Sequence, residues 1–163
     1  MLFKEYPIEV IGYSVALLGI LFLIVKNTRR QKRTAKSPGR WKSILVIDDD
    51  EGILHSTRSI LLSAGYGVLV ANRGEFGLQI AQTQKPDLII TDVIMPGMKG
   101  RELCQRLKQD ENTQNIPVVF LTAKDSPEDI AAEKEAGGVA HLTKPVNAKI
   151  LLATVSQILN APL

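Results

Sequence analysis

Asp87-Leu88-Ile89-Ile90-Thr91-Asp92-Val93-Ile94-Met95-Pro96-Gly97-Met98-Lys99-Gly100 is the stretch that decides the fold of this chain. Asp87 through Ile90 are compact and β-prone, so they read as a short buried strand. The run ends on a single carboxylate, Asp92. A turn rich in glycine and proline follows, and a helical pattern begins near Gly100. Asp92 therefore falls at the carboxyl end of a strand, where open α/β sheets place their ligands. A carboxylate there is a candidate nucleophile if neighbouring groups cancel its charge and that of an incoming anion.

Outward from this stretch the same alternation repeats. Ile44–Ile47 is a β-branched run with the marks of a buried strand. The helix after it places Ile53, Leu54, Ile60, Leu61 and Ala64 on one face and stops at Gly65. Tyr66–Val70 reads as a strand, and Arg73–Gln84 as a helix with Phe76 and Ile80 inward. Gly100–Gln109 reads as a helix packed through Leu103 and Leu107, and Ile116–Leu121 as a strand. Ser126-Pro127-Glu128-Asp129 is a strong helix start, with a capping hydroxyl, proline at the first helical position and acids on the positive end of the dipole. Gly137-Gly138 stops that helix, Val139–Leu142 is the next strand, and Asn147 opens a last helix with Leu151, Val155 and Ile158 on one face. The pattern is (βα)5, which implies α/β architecture with a parallel sheet covered on both faces.

The unusual polar residues collect at the carboxyl ends of these strands. Asp48, Asp49 and Asp50 follow the first, Asp92 the third, Thr122 ends the fourth and Lys144 follows the fifth. In a parallel sheet these ends share one edge. Clustered carboxylates with neither Cys104 nor a histidine beside them suit a hard, oxygen-seeking cation, chiefly Mg2+. Lys144 adds a mobile positive charge and Thr122 a hydroxyl. Together they would stabilise the oxygens of a phosphoryl group moving in line onto Asp92. Taken singly, the aspartates could cap a helix, Thr122 could be an ordinary strand residue, and Asp92 and Lys144 could be turn residues. His55, in the first helix, reads as a surface residue, because a lone histidine supplies too few ligands for a metal.

Ile44-Leu-Val-Ile-Asp-Asp49, Thr91-Asp-Val-Ile-Met-Pro-Gly-Met98 with Gly100, Ile116-Pro-Val-Val-Phe-Leu-Thr-Ala123 and Leu142-Thr-Lys-Pro145 jointly resemble the receiver (CheY-like) domain of two-component response regulators. The resemblance runs from Ser43 to the end. It implies a doubly wound, flavodoxin-like sheet of order 2-1-3-4-5. It also implies that Asp92 is the phosphoacceptor, that Asp48, Asp49 and the Ile94 carbonyl join Asp92 in holding Mg2+, and that Thr122 and Lys144 contact the phosphoryl group. The Lys144–Pro145 peptide is expected to be cis. The implied donor is a phosphohistidine on a sensor histidine kinase or histidine phosphotransfer protein. His141 stands where the family usually has tyrosine or phenylalanine, which makes Thr122 and His141 the expected switch pair; a solvent-facing histidine with no switching role is the alternative. Lys99 stands where an acid is common and Val146 where phenylalanine is common.

The chain has 163 residues and a net charge of +3, unevenly placed. Residues 26–42 carry eight Lys or Arg and no acid, whereas residues 43–163 carry 11 basic and 15 acidic side chains. The folded part is thus acidic, which counts against nucleic acid as a partner. Cys104 is the only cysteine, so no internal disulfide forms. Residues 10–25 carry no charge, and as a helix they would cover roughly 24 Å of a bilayer core about 30 Å thick. Ile8, Tyr6, Tyr13 and a snorkelling Lys26 would extend the span. A cleaved signal peptide fits less well, since basic residues follow the apolar run where small ones would be needed. A helix buried against a partner is the other alternative. The expected organisation is a transmembrane helix within 1–25, entering the membrane through residues 8–25, a basic linker over 26–42 and a receiver over 43–163. The basic belt orients the receiver to the cytoplasm, in a single-pass protein of the cell (inner) membrane. The expected role is signalling, not enzymatic, with output through a downstream protein. A receiver-like module that is never phosphorylated is the alternative. A haloacid-dehalogenase-type phosphohydrolase, suggested by Asp48-x-Asp50, is a weaker one.

Overall fold

The computed structural model describes residues 41–160. The apolar segment and most of the basic linker lie outside the described residues. The chain divides between Arg40 and Trp41, and the unit that follows alternates strand and helix throughout. Its elements are β1 (Ser43–Ile47), α1 (Glu51–Ser63), β2 (Gly67–Ala71), α2 (Gly74–Gln84), β3 (Leu88–Thr91), α3 (Gly100–Gln109), β4 (Val118–Thr122), α4 (Pro127–Glu135), β5 (Ala140–Thr143) and α5 (Ala148–Asn160). The strands pair in parallel in the order β2-β1-β3-β4-β5, the doubly wound arrangement expected. None of the described helices is long and apolar enough to cross a membrane.

Alternate strand residues feed two cores, one on each face. Leu45, Ile47, Ile89, Val118 and Phe120 pack with Ala81, Leu103, Leu107 and Ala136, so α2, α3 and α4 cover that face. Ile44, Val46, Ile90, Val119 and Leu121 pack with Leu61, Leu151 and Val155 from α1 and α5. The period of two along each strand decides which core a residue joins. All four residues of β3 are buried, as a strand covered on both faces requires.

The helix starts are local chemistry. The Asp50 carboxylate accepts from Gly52 N and Ile53 N, capping α1. Ser126 Oγ accepts from Asp129 N with Pro127 in the first turn of α4, and Asn147 Oδ1 accepts from Lys149 N and Ile150 N at the start of α5. Gly65, with φ of 86°, follows α1 in the left-handed region that favours glycine.

Two expectations about packing are corrected. Phe76 does not face the core; it is 52% exposed. The buried side of α2 is instead Gly74, Gly77 and Ala81. A Cβ on Gly77 would overlap the Ile47 side chain, so the helix lies too close to the sheet for a large residue on that stripe. Ala64 is exposed and closes α1 as its C-cap, so the inward face ends at Leu61. Three strands also run one residue further than their apolar runs, to Ala71, Thr91 and Thr143, while β4 ends on Thr122 as expected. β-branched threonine sustains the ladder although it is polar.

Candidate active site at the carboxyl edge

The pairings Ile47 with Ala71 and Thr91, Thr91 with Phe120, and Thr122 with Thr143 bring the strand ends level. The loops beyond them carry the charged residues. Asp92 N donates to Ile47 O, locking the end of β3 to β1. The Asp92 carboxylate then folds back on its own loop. Oδ1 accepts from Val93 N at 2.6 Å and Ile94 N at 3.2 Å, while Oδ2 meets Lys144 Nζ at 2.7 Å. The same ammonium lies 2.6 Å from Asp48 Oδ2. Asp48 Oδ1 accepts from Asp50 N.

Gly100 sets the height of α3 against this loop. Its N–H donates to Val93 O, and a Cβ there would overlap the Asp92 carbonyl oxygen. Only glycine lets the helix come this close. Lys144 is placed from the other side: its N–H donates to Thr122 O, tying the ends of β4 and β5, and the Lys144–Pro145 peptide is cis.

Asp48 is 1% and Asp92 8% exposed. Burial raises the Asp48 carboxyl above its usual range, against the opposing pull of the Lys144 hydrogen bond. Burial by itself would lower the Lys144 ammonium, but its bonds to Asp48 and Asp92 outweigh this and raise it. Lys144 is therefore firmly protonated between two acids.

The three carboxylates of Asp48, Asp49 and Asp92 offer oxygens that all lie within 4.8 Å of one another. That donor set, all hard oxygen with one exposed member through which a hydrated ion can enter, fits Mg2+. Asp50 is not part of it. Its side chain is committed to capping α1, which removes the second acid that a dehalogenase-type nucleophile motif requires. Among the three consecutive aspartates the division is thus two for the site and one for the helix. Thr122 is buried at the same edge, its Oγ1 accepting from Lys124 N. His55 is exposed, as expected.

His141 lies one strand away from Thr122, paired in register with Phe120. Its Nδ1 is 2.7 Å from Glu133 Oε2. Glu133 was not among the residues singled out from the sequence. The sequence offered little signal for it: in α4 it falls three residues after Ile130 and three before Ala136, and of these two only Ala136 is buried.

An open α/β sheet of order 2-1-3-4-5 with acids and a lysine converging at its carboxyl edge defines a phosphoacceptor signalling class. The chain belongs to the response regulator receiver domain family, whose model matches residues 44–156. It is 35% identical over 116 residues to protein PilH of Pseudomonas aeruginosa, covering 71% of this chain and 96% of that protein. It is 40% identical over 118 residues to the alkaline phosphatase synthesis transcriptional regulatory protein PhoP of Bacillus subtilis, covering 72% of this chain but 48% of the relative. The match thus spans about half the length of PhoP, and 51% of the transcriptional regulatory protein AfsQ1 of Streptomyces coelicolor. Among solved structures it resembles a CheY-like receiver domain protein from Methanospirillum hungatei, with a TM-score of 0.70 and 31% identity over 74% of this chain and 95% of that one. It likewise resembles the chemotaxis response regulator CheY4 of Vibrio cholerae, with a TM-score of 0.70 and 33% identity over 73% and 99%. The described unit is therefore a receiver domain of two-component signalling.

Proposed function

We propose that this receiver accepts a phosphoryl group on Asp92 from a phosphohistidine of a sensor histidine kinase or histidine phosphotransfer protein. The carrying observation is the convergence of Lys144 on Asp92 and Asp48 at 2.7 and 2.6 Å. An Asp92 carboxylate oxygen attacks phosphorus as the P–N bond to the donor imidazole breaks, and the imidazole leaves with the electron pair and takes up a proton. Mg2+ held by Asp48, Asp49, Asp92 and the Ile94 carbonyl would neutralise charge on the phosphoryl oxygens. Lys144 and Thr122 contact those oxygens, Lys144 as a counter-charge and Thr122 as a hydroxyl donor. Lys144 is already desolvated and charged, so it needs only to move from one anion to another.

Output follows from a change of shape at Thr122 and His141, read by a protein partner. The apolar run of residues 8–25 tethers the receiver to the cytoplasmic face of the cell membrane, with the basic belt inside. Support for the tether is confined to the sequence: an uncharged run of sixteen residues followed by eight basic side chains within residues 26–42.

The test of the phosphoryl reading is incubation of the full chain with Mg2+ and a small phosphodonor, followed by mass spectrometry. One phosphoryl group on Asp92, lost in Asp92→Asn, is the expected result. No adduct on any residue under these conditions would establish instead a receiver-shaped interaction module.

A further inference from the structure

Burial of a carboxylate is tolerated where it is paired. Among the described residues three acids are deeply buried: Asp48, Asp92 and Glu133. Two of them share Lys144. Glu133, 2% exposed on α4, has only the imidazole of His141. The contact is unevenly satisfied on both sides. Glu133 Oε1 and His141 Nε2 are buried and have no hydrogen-bond partner in the protein. A buried polar pair that uses half its capacity holds its members less firmly than a fully bonded one. With the carboxylate as acceptor, Nδ1–H of His141 is the donor.

The pair is placed where it can govern the strand end. His141 stands opposite Phe120 on β5, and Phe120 and Thr122 lie on the same face of β4. Glu133 holds the ring toward α4, beside a surface pocket of ≈ 160 Å³ that Phe120, Ile130 and Gly138 also line. Any turn of the ring that takes Nδ1 off Glu133 breaks this bond.

We propose that Glu133 is a positioning residue: its carboxylate latches His141 in the resting receiver, and phosphoryl transfer to Asp92 drives the ring out of the latch as Thr122 moves toward the phosphoryl group. The proposal rests on the phosphoacceptor reading above. The latch makes the resting state the default, and its strength sets how much of the binding energy at Asp92 is spent on releasing the ring. Weakening it shifts the population toward the active form before any phosphoryl group arrives.

The experiment uses the full chain, 15N-labelled and kept in solution with detergent, with Mg2+ and beryllofluoride as the phosphoryl mimic. Nuclear magnetic resonance follows the ring nitrogens of His141 and the amides of Val93 and Ile94, which bond Asp92 directly. At rest the latch requires Nδ1–H to be bonded to Glu133. On adding the mimic, the latch requires both ring nitrogens and both amides to shift together. In Glu133→Ala the resting ring loses its Nδ1–H signature, and half-saturation by beryllofluoride moves to a concentration lower by about threefold or more. Glu133→Gln, whose amide oxygen still accepts from Nδ1–H, should fall between Ala and wild type; it also supplies the comparison if the Ala variant fails to fold. Amides that shift while the ring stays unchanged overturn the latch and leave the Asp92 assignment standing, as does wild-type half-saturation in both variants. If neither amides nor ring respond, the phosphoacceptor reading fails and the latch fails with it.

Discussion

Asp48 and Lys144 show how single side chains set the chemistry of the edge. Asp92→Asn is nearly isosteric, so it should abolish phosphoryl uptake, read by mass spectrometry, while leaving the thermal midpoint within a few degrees of wild type. Asp48 leads to a less obvious expectation. Burial raises its carboxyl in the fold, so its charged form is disfavoured there. The sign follows: the stability contributed by this group is present below the unfolded pKa and is lost as pH rises through the higher folded value. At neutral pH the ionised Asp48 is therefore a burden on the metal-free fold. Asp48→Asn should raise the thermal midpoint in chelator, and it should weaken Mg2+ binding by at least about tenfold. For the same reason Mg2+ affinity of the wild type should fall on acidification sooner than an ordinary aspartate, with its pKa of about 3.9, would allow. Calorimetric titration from neutral into acid pH reads this; an affinity that falls no sooner than an ordinary aspartate would allow overturns the expectation. Cys104 is the contrasting case. It is fully buried, and burial pushes its thiol up to about 11. Alkylation of the native protein at neutral pH should leave it untouched, and labelling should appear only with denaturant.

Among the elements, α3 and α4 carry the positional demands. Gly100→Ala would set a methyl against the carbonyl oxygen of Asp92. A backbone atom cannot rotate away, so α3 must lift from the loop. A loss of about 2 kcal/mol or more in urea unfolding is expected, with slower phosphorylation because the Asp92 loop moves too. Ser126→Ala removes the bond to Asp129 N and should cost about 1 kcal/mol. The legible parts of the fold are those written in local chemistry. Ser126-Pro127 and Asn147 announced their helices, and the β-branched runs announced their strands. The order of the sheet and the convergence on Asp92 came from the motif residues around them. Phe76 misled because hydrophobicity gave a face, whereas helix-to-sheet distance, which no single element encodes, required Gly77 there. Glu133 was hidden for a related reason. An acid in a helix reads as solvated until its partner, eight residues on in a different element, is brought to 2.7 Å. Asp50 was ambiguous because three identical side chains in a row differ only in where the backbone turns them.

At the scale of the whole molecule, charge divides the chain into unlike parts. A mildly acidic receiver follows a belt of eight basic residues and an apolar run. The belt alone could hold the protein at anionic lipid, each residue near the surface adding about 1 kcal/mol at best. Insertion of the apolar run would add a qualitatively different hold. Sixteen uncharged residues cover roughly 24 Å as a helix, short of the hydrocarbon core unless Ile8 and the stem of Lys26 complete the span. Salt and alkali separate the two mechanisms. Electrostatic adhesion is screened, with a Debye length of about 3 Å at 1 M salt, whereas an inserted helix is indifferent to salt. The full chain should therefore sediment with membranes, resist washing with 1 M salt and with alkaline carbonate, and be released only by detergent. Deleting residues 1–25 should leave a chain that salt removes from the membrane and that still takes a phosphoryl group on Asp92. Added protease should digest the receiver only after the cells are opened, as a cytoplasmic placement requires. Release of the full chain by salt alone would assign its membrane contact to the basic belt, and the apolar run would then be a packing segment for a protein partner.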